Sequence, residues 1–197
     1  MMKRTTMLSC VVVLSAALAG CGGDDASDEG GGSSSPETTE ASPPSSTTAE
    51  ASQNVEVRAV DYAFEGLAKT LPVGSRLTLV NKSSKELHEM VAIKLPPTET
   101  RPAADLVKLP PEEQSALSQG PPAMVLIAPP GGSPQISAVG DGTLAQKGRY
   151  LMICSIPTGA DPEEYLAAAA KSQGGPPDVK GGPPHLVQGM FAEVSVE

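Results

Sequence analysis

An apolar run that ends on a single thiol constrains this chain most. Tyr150-Leu-Met-Ile-Cys154 reads as a strand, and Ser155-Ile-Pro157 stops it. The chain has three cysteines, Cys10, Cys21 and Cys154. Cys10 lies inside an apolar leader and Cys21 directly after it. Cys154 therefore has no partner for an internal disulfide. A leftover thiol in an oxidising compartment is a hazard unless it is buried, metal-bound or catalytic.

The export context comes from residues 1–20. Lys3 and Arg4 open the chain, and Met7 to Ala19 is apolar but for Ser9, Cys10 and Ser15. That run is shorter than the roughly 20 apolar residues a bilayer span needs. It ends Leu18-Ala19-Gly20-Cys21, which resembles the bacterial lipoprotein signal. The resemblance implies cleavage before Cys21 and diacylglycerol on its sulfur. Residues 21–53 are Gly, Ser, Thr, Pro and acids, with no aromatic or branched aliphatic residue between Gly22 and Gln53. Such a stretch cannot bury enough apolar surface to offset chain entropy and reads as a disordered tether, reaching about 30 Å on average. One domain is then expected over 54–197.

Charge excludes one class of partner. The chain carries −9. Loss of Lys3 and Arg4 leaves −11, and the seven acids of the tether account for all but about −4 of that. Nucleic-acid binding needs a basic surface and is not expected.

Within 54–197, Val55–Val60, Arg76–Val80, Leu87–Leu95, Ala123–Ala128, Gly148–Cys154 and Met190–Val196 read as strands. Asp61–Phe64 reads as a continuation of the first. Gln135–Val139 and Thr143–Ala145 are weaker candidates. Turn residues separate them, as at Asn81-Lys-Ser-Ser84. Alternation puts His88, Met90 and Ala92 on one face. Two helical insertions interrupt the strands, near 102–118 and 161–172. Pro111–Leu117 has Pro in its first turn and acids at its positive end. Asp161 can cap a helix that Pro162 opens, with Glu164 in a capping-box-like position and Lys171 and Gly174 at its end. These features predict an all-β, Greek-key β-sandwich with short helical insertions.

The donors form an ordered set. Both histidines of the chain, His88 and His185, flank Cys154 in sequence, and Met190 follows. Taken singly, Cys154 reads as a small buried apolar residue, His88 as a strand-end histidine, His185 as a solvated loop residue and Met190 as core filler. Together, two His, one Cys and a weakly bound Met make the ligand set of a blue-copper site.

These residues also carry a family resemblance. Gly148-Arg-Tyr150-x-x-x-Cys154-Ser-Ile-Pro157, His185-x4-Met190 before a last strand, and Asn81 through His88 and Glu89 resemble the cupredoxins, over most of 55–196. The resemblance implies one type 1 copper. His88, Cys154 and His185 would form its trigonal plane, and Met190 would be the long axial ligand. His185 would be the ligand nearest the surface. Two features depart from the family pattern. Thirty residues, 155–184, separate Cys154 from His185, where well-known members have a few. Such a site survives if the insertion leaves and returns at neighbouring points. Glu89 stands where members often have Asn, and alters what surrounds the ligand loop.

The resulting expectation is a lipid-anchored, extracytoplasmic carrier of single electrons at the outer face of a bacterial membrane, serving a redox partner protein. The alternatives are a copper chaperone without a redox role and a metal-free cupredoxin-like binding module. A Cys–His nucleophilic enzyme is not expected. No helix N-terminus directly follows Cys154 to depress its pKa, and no acid–base pair accompanies it.

Overall fold

The computed structural model describes residues 51–118, 120–172 and 176–197. The leader (1–20), the lipidation candidate Cys21, the tether to residue 50 and Gly174 lie outside the described residues.

Among the described residues, nine strands form two mixed sheets. In the smaller, β1 (Asn54–Val60) lies between β2 (Ala63–Glu65), antiparallel to it, and β4 (Arg76–Asn81), parallel to it. The larger sheet runs β3 (Thr70–Leu71), β9 (Phe191–Val196), β8 (Gly148–Ile153), β5 (His88–Lys94), β6 (Met124–Ala128), β7 (Ile136–Val139). In it β5, β6 and β7 are successive antiparallel neighbours, and β8 returns to the free side of β5. A fourth strand that returns beside the first is the Greek-key order. The all-β, Greek-key β-sandwich expected from the sequence is the architecture observed.

Alternation builds the core. Val57 and Ala59 of β1 and Leu77 and Leu79 of β4 face inward from one sheet. Met90 and Ala92 of β5, Tyr150 and Met152 of β8 and Val194 and Val196 of β9 meet them from the other. With no Trp in the chain, unbranched Met and Leu fill the centre. The outer face of the large sheet is also covered. There α1 (Ala103–Leu106) and α2 (Pro111–Leu117) put Leu106, Val107 and Leu117 on Leu151 and Ile153. Asp161 caps α3 (Pro162–Ala169), its side chain accepting from the Glu164 N–H at 2.8 Å.

Two expectations are corrected. The chain does not continue straight through Asp61–Phe64. It reverses at Asp61-Tyr62, where Tyr62 takes a left-handed φ of 67°, and β2 folds back on β1. Thr143–Ala145 is not a strand. Thr143 makes one isolated bridge to Arg76, and Leu144 exchanges backbone hydrogen bonds with Gly74 and Ser75 only two residues from the turn at Gly142.

Candidate metal centre

The inner face of the sandwich ends in sulfur and imidazole. Ala92 of β5 pairs with Met152 of β8. The same inward face continues to His88 on one strand and to Cys154 just beyond the other. His88 is held by its own turn. The buried Asn81 amide donates to the carbonyls of Glu86 and Ala128, both at 2.8 Å, and Asn81 Oδ1 accepts from the Ser83 N–H. Ala128 is the register partner of His88, so Asn81 ties the turn to the strand beside it.

The long insertion returns beside its point of departure. Pro157 and Pro184 form an antiparallel bridge. Thr158 N–H donates to Pro183 O and Gly182 N–H to Thr158 O. Below this neck, His185 N–H donates to Ile156 O and Leu186 N–H to Cys154 O at 2.8 Å. The neck requires glycine, because a Cβ at Gly181 would overlap the Pro157 side chain. A 3-10 turn, His185–Gln188, ends at Gly189 with φ 115°, which lets the chain double back. Met190 then gives its N–H to His185 O and accepts from Cys154 N–H.

His88, Cys154 and His185 each offer one donor atom, and the three lie within 4.8 Å of one another. Cys154 Sγ is 3.3 Å from His185 Nδ1. The imidazole centroids are 5.0 Å apart. All three residues, and Met190, are 0 % exposed. Met190 is thus beside the cluster through its backbone and buried with it. His185 is enclosed in its 3-10 turn, as buried as the other two. The Tyr62 ring stands edge-on to it at 5.0 Å.

Electrostatics keep the donors neutral when no ion is bound. Burial, and then the neighbouring His185, lower the His88 pKa to about 4 against the pull of Asp61 and Glu86. Burial lowers that of His185, with Glu86 opposing. Burial, and then the Glu89 carboxylate, push the Cys154 thiol up. Both ring nitrogens of His88 and Nε2 of His185 lack an aligned hydrogen-bond partner. Carboxylates stand near without alignment, Asp61 at 3.7 Å from His88 Nε2 and Glu86 at 3.3 Å from His185 Nε2. A buried polar atom left unpaired costs about 1–3 kcal/mol. Neutral imidazoles with free lone pairs, converging on a thiol, fit a metal ion. Two nitrogens and a soft sulfur suit copper. Loading it would expel the thiol proton.

Glu89 is the residue around which this end is tied. Its N–H donates to Cys154 Sγ at 3.4 Å. One carboxylate oxygen accepts from the N–H and hydroxyl of Ser155. The other accepts from Tyr165 of α3 at 2.8 Å. The sequence marked Glu89 as a departure but left Asp61, Tyr62, Glu86 and Tyr165 unassigned. An acid in a turn or a tyrosine in an alanine-rich helix carries no local sign of what it faces.

No family model and no curated protein matches the sequence. Among solved structures, the chain is similar to reduced auracyanin from Roseiflexus castenholzii, with 20 % identity over 75 % of this chain and 98 % of that one, at a TM-score of 0.40. It is similar to auracyanin A, a "blue" copper protein of Chloroflexus aurantiacus, with 17 % identity over 75 % and 100 % of the two chains, TM-score 0.39. Reduced rusticyanin gives 14 % identity over 73 % and 78 %, TM-score 0.38. At such values the strand order and register described above, rather than these likenesses, establish the sandwich.

Proposed function

We propose that this chain is a blue-copper protein that carries single electrons outside the cytoplasm, held to the outer face of a bacterial membrane through Cys21. One observation carries the reading. His88, Cys154 and His185 converge within 4.8 Å with all three side chains buried, and three of their ring nitrogens have no aligned hydrogen-bond partner. His88, Cys154 and His185 would hold one type 1 copper, with Met190, buried beside them, as a weak further donor. Bound copper would supply a one-electron couple without bond-making chemistry. The protein's part is to enclose the donors and fix their spacing, so that little moves when the charge changes. Tyr62, Asp61 and Glu86 line the approach to the imidazoles, and a redox partner protein would dock there.

The test is a Cu(II) titration of the purified chain followed by its visible spectrum. The expected result is an intense thiolate-to-copper band that saturates at one equivalent, vanishes on reduction and is missing in Cys154→Ser. A folded protein without the band overturns the electron-transfer reading. Cu(I) titration then separates a copper carrier from a metal-free module. For the anchor, Cys21→Ala should move the protein from the membrane to the soluble fraction.

A further inference from the structure

We propose that Tyr165, on the inserted helix, is a positioning residue for the sulfur donor and acts on it through Glu89. The two departures from the family pattern are then one device. The insertion between Cys154 and His185 carries the hydroxyl that holds the acid standing after His88.

The contacts form a short chain with no free link. Tyr165 is 2 % exposed, and its hydroxyl donates to Glu89 Oε2 at 2.8 Å. Glu89 Oε1 accepts from Ser155 N–H at 3.1 Å and from the Ser155 hydroxyl. The Glu89 N–H points to Cys154 Sγ. A carboxylate fixed at both oxygens cannot rotate, so the Ser155 turn takes its place from Tyr165. Cys154 is bonded to that turn on one side and faces the Glu89 amide on the other. A tyrosine that only filled core volume would have no need of this partner. Tyr165 is already a buried member of the main core, against which Leu166 and Ala169 also pack.

The helix itself is pinned at its start. Asp161 caps it, and Gly159 N–H donates to Glu86 Oε2, the oxygen that also stands beside His185. The insertion thus reaches the donor cluster through two carboxylates, one beside each histidine in space or in sequence. Hydrogen bonds held at both oxygens fix an acid's orientation, and that geometry passes to the groups it holds.

The inference extends the copper reading, but its first test needs no metal. Amide hydrogen exchange is measured on the metal-free chain and on Tyr165→Phe, which keeps the ring and removes the hydroxyl. The Ser155 N–H should exchange about tenfold faster in the variant, while Met152 N–H in the sheet stays as it was. Glu89→Gln should give at least the same loss of protection at Ser155. Adding Tyr165→Phe to Glu89→Gln should then change nothing further, since the path would already be cut. An unchanged Ser155 amide, equal acceleration at Met152, or additive effects would each overturn the proposal. In the copper-loaded chain, Tyr165→Phe should shift the thiolate-to-copper band and the reduction potential. A wild-type chain without the band refutes the copper reading and leaves this inference to the amide result. A normal band, unmoved in Tyr165→Phe together with an unmoved Ser155 amide, refutes this inference alone.

Discussion

The two helical insertions lie over the same sheet and are built on different chemistry. The first is an apolar cover. Leu106, Val107 and Leu117 pack on Leu95, Leu151 and Ile153. Its polar bonds go to the far end of the sheet, where Arg149 reaches the carbonyls of Glu99 and Arg101, and Glu193 accepts from Ala103 N–H. It meets the donor loop at the aliphatic side chain of Leu186. The second insertion is closed by a backbone neck and speaks to the donors through carboxylates. A segment that covers a site stabilises the protein, whereas one bonded to the atoms beside the donors can also set their geometry.

Breaking the first insertion should cost most and matter least to the donors. Leu106 is fully buried, and Leu106→Ala should lower unfolding free energy by about 2–5 kcal/mol. Denaturant titration measures it, and the thiolate-to-copper band should stay in place. The donor end should instead be sensitive to acid. The folded His88 pKa, about 4, lies below its unfolded value of 6.5. Between those values the unfolded chain binds the proton and the folded chain does not. The His88 contribution to the stability of the metal-free protein should therefore be full above pH 6.5 and be lost, by about 3 kcal/mol, as pH drops to 4. Leu106→Ala should shift the whole unfolding curve without altering that slope. The smallest effect on stability, about 1–2 kcal/mol, belongs to Gly181→Ala at the neck. That variant should nonetheless move the band, because the neck sets where His185 re-enters. A band unmoved by Gly181→Ala would erase the contrast between the insertions.

Much of the fold could be read locally. Arg76-Leu-Thr-Leu alternates and is buried at every second residue. The helix Pro111–Leu117 has the bounds its proline and acids suggest, and Asp161 caps where a cap was expected. Period and capping depend on neighbours a few residues away. The convergence of His88, Cys154 and His185 could be read because the chain has so few His and Cys to choose from. What faces it was not. Tyr165 and Glu89 are 76 positions apart, and their bond exists only after the insertion has folded back. His185, among Gly and Pro, looks solvated until the neck closes above it and Tyr62 turns over it. The left-handed backbone of Tyr62 is likewise invisible in its residue type, since a bulky side chain pays about 1–2 kcal/mol there that glycine would not.

The Pro157–Pro184 bridge has a consequence for how this chain can change. Closing a flexible loop costs an entropy that grows with the logarithm of its length. Between some thirty residues and the handful below the bridge, that difference is about 2 kcal/mol. Because the bridge has already joined the strands, the donors feel a short hairpin whatever hangs beyond it. Chain added between α3 and the neck is therefore nearly neutral for folding, so long as the buried Ala160 and Tyr165 and the neck glycine Gly181 stay in place. The segment is a graft point, where a reporter or a recognition sequence could be installed without rebuilding the sandwich.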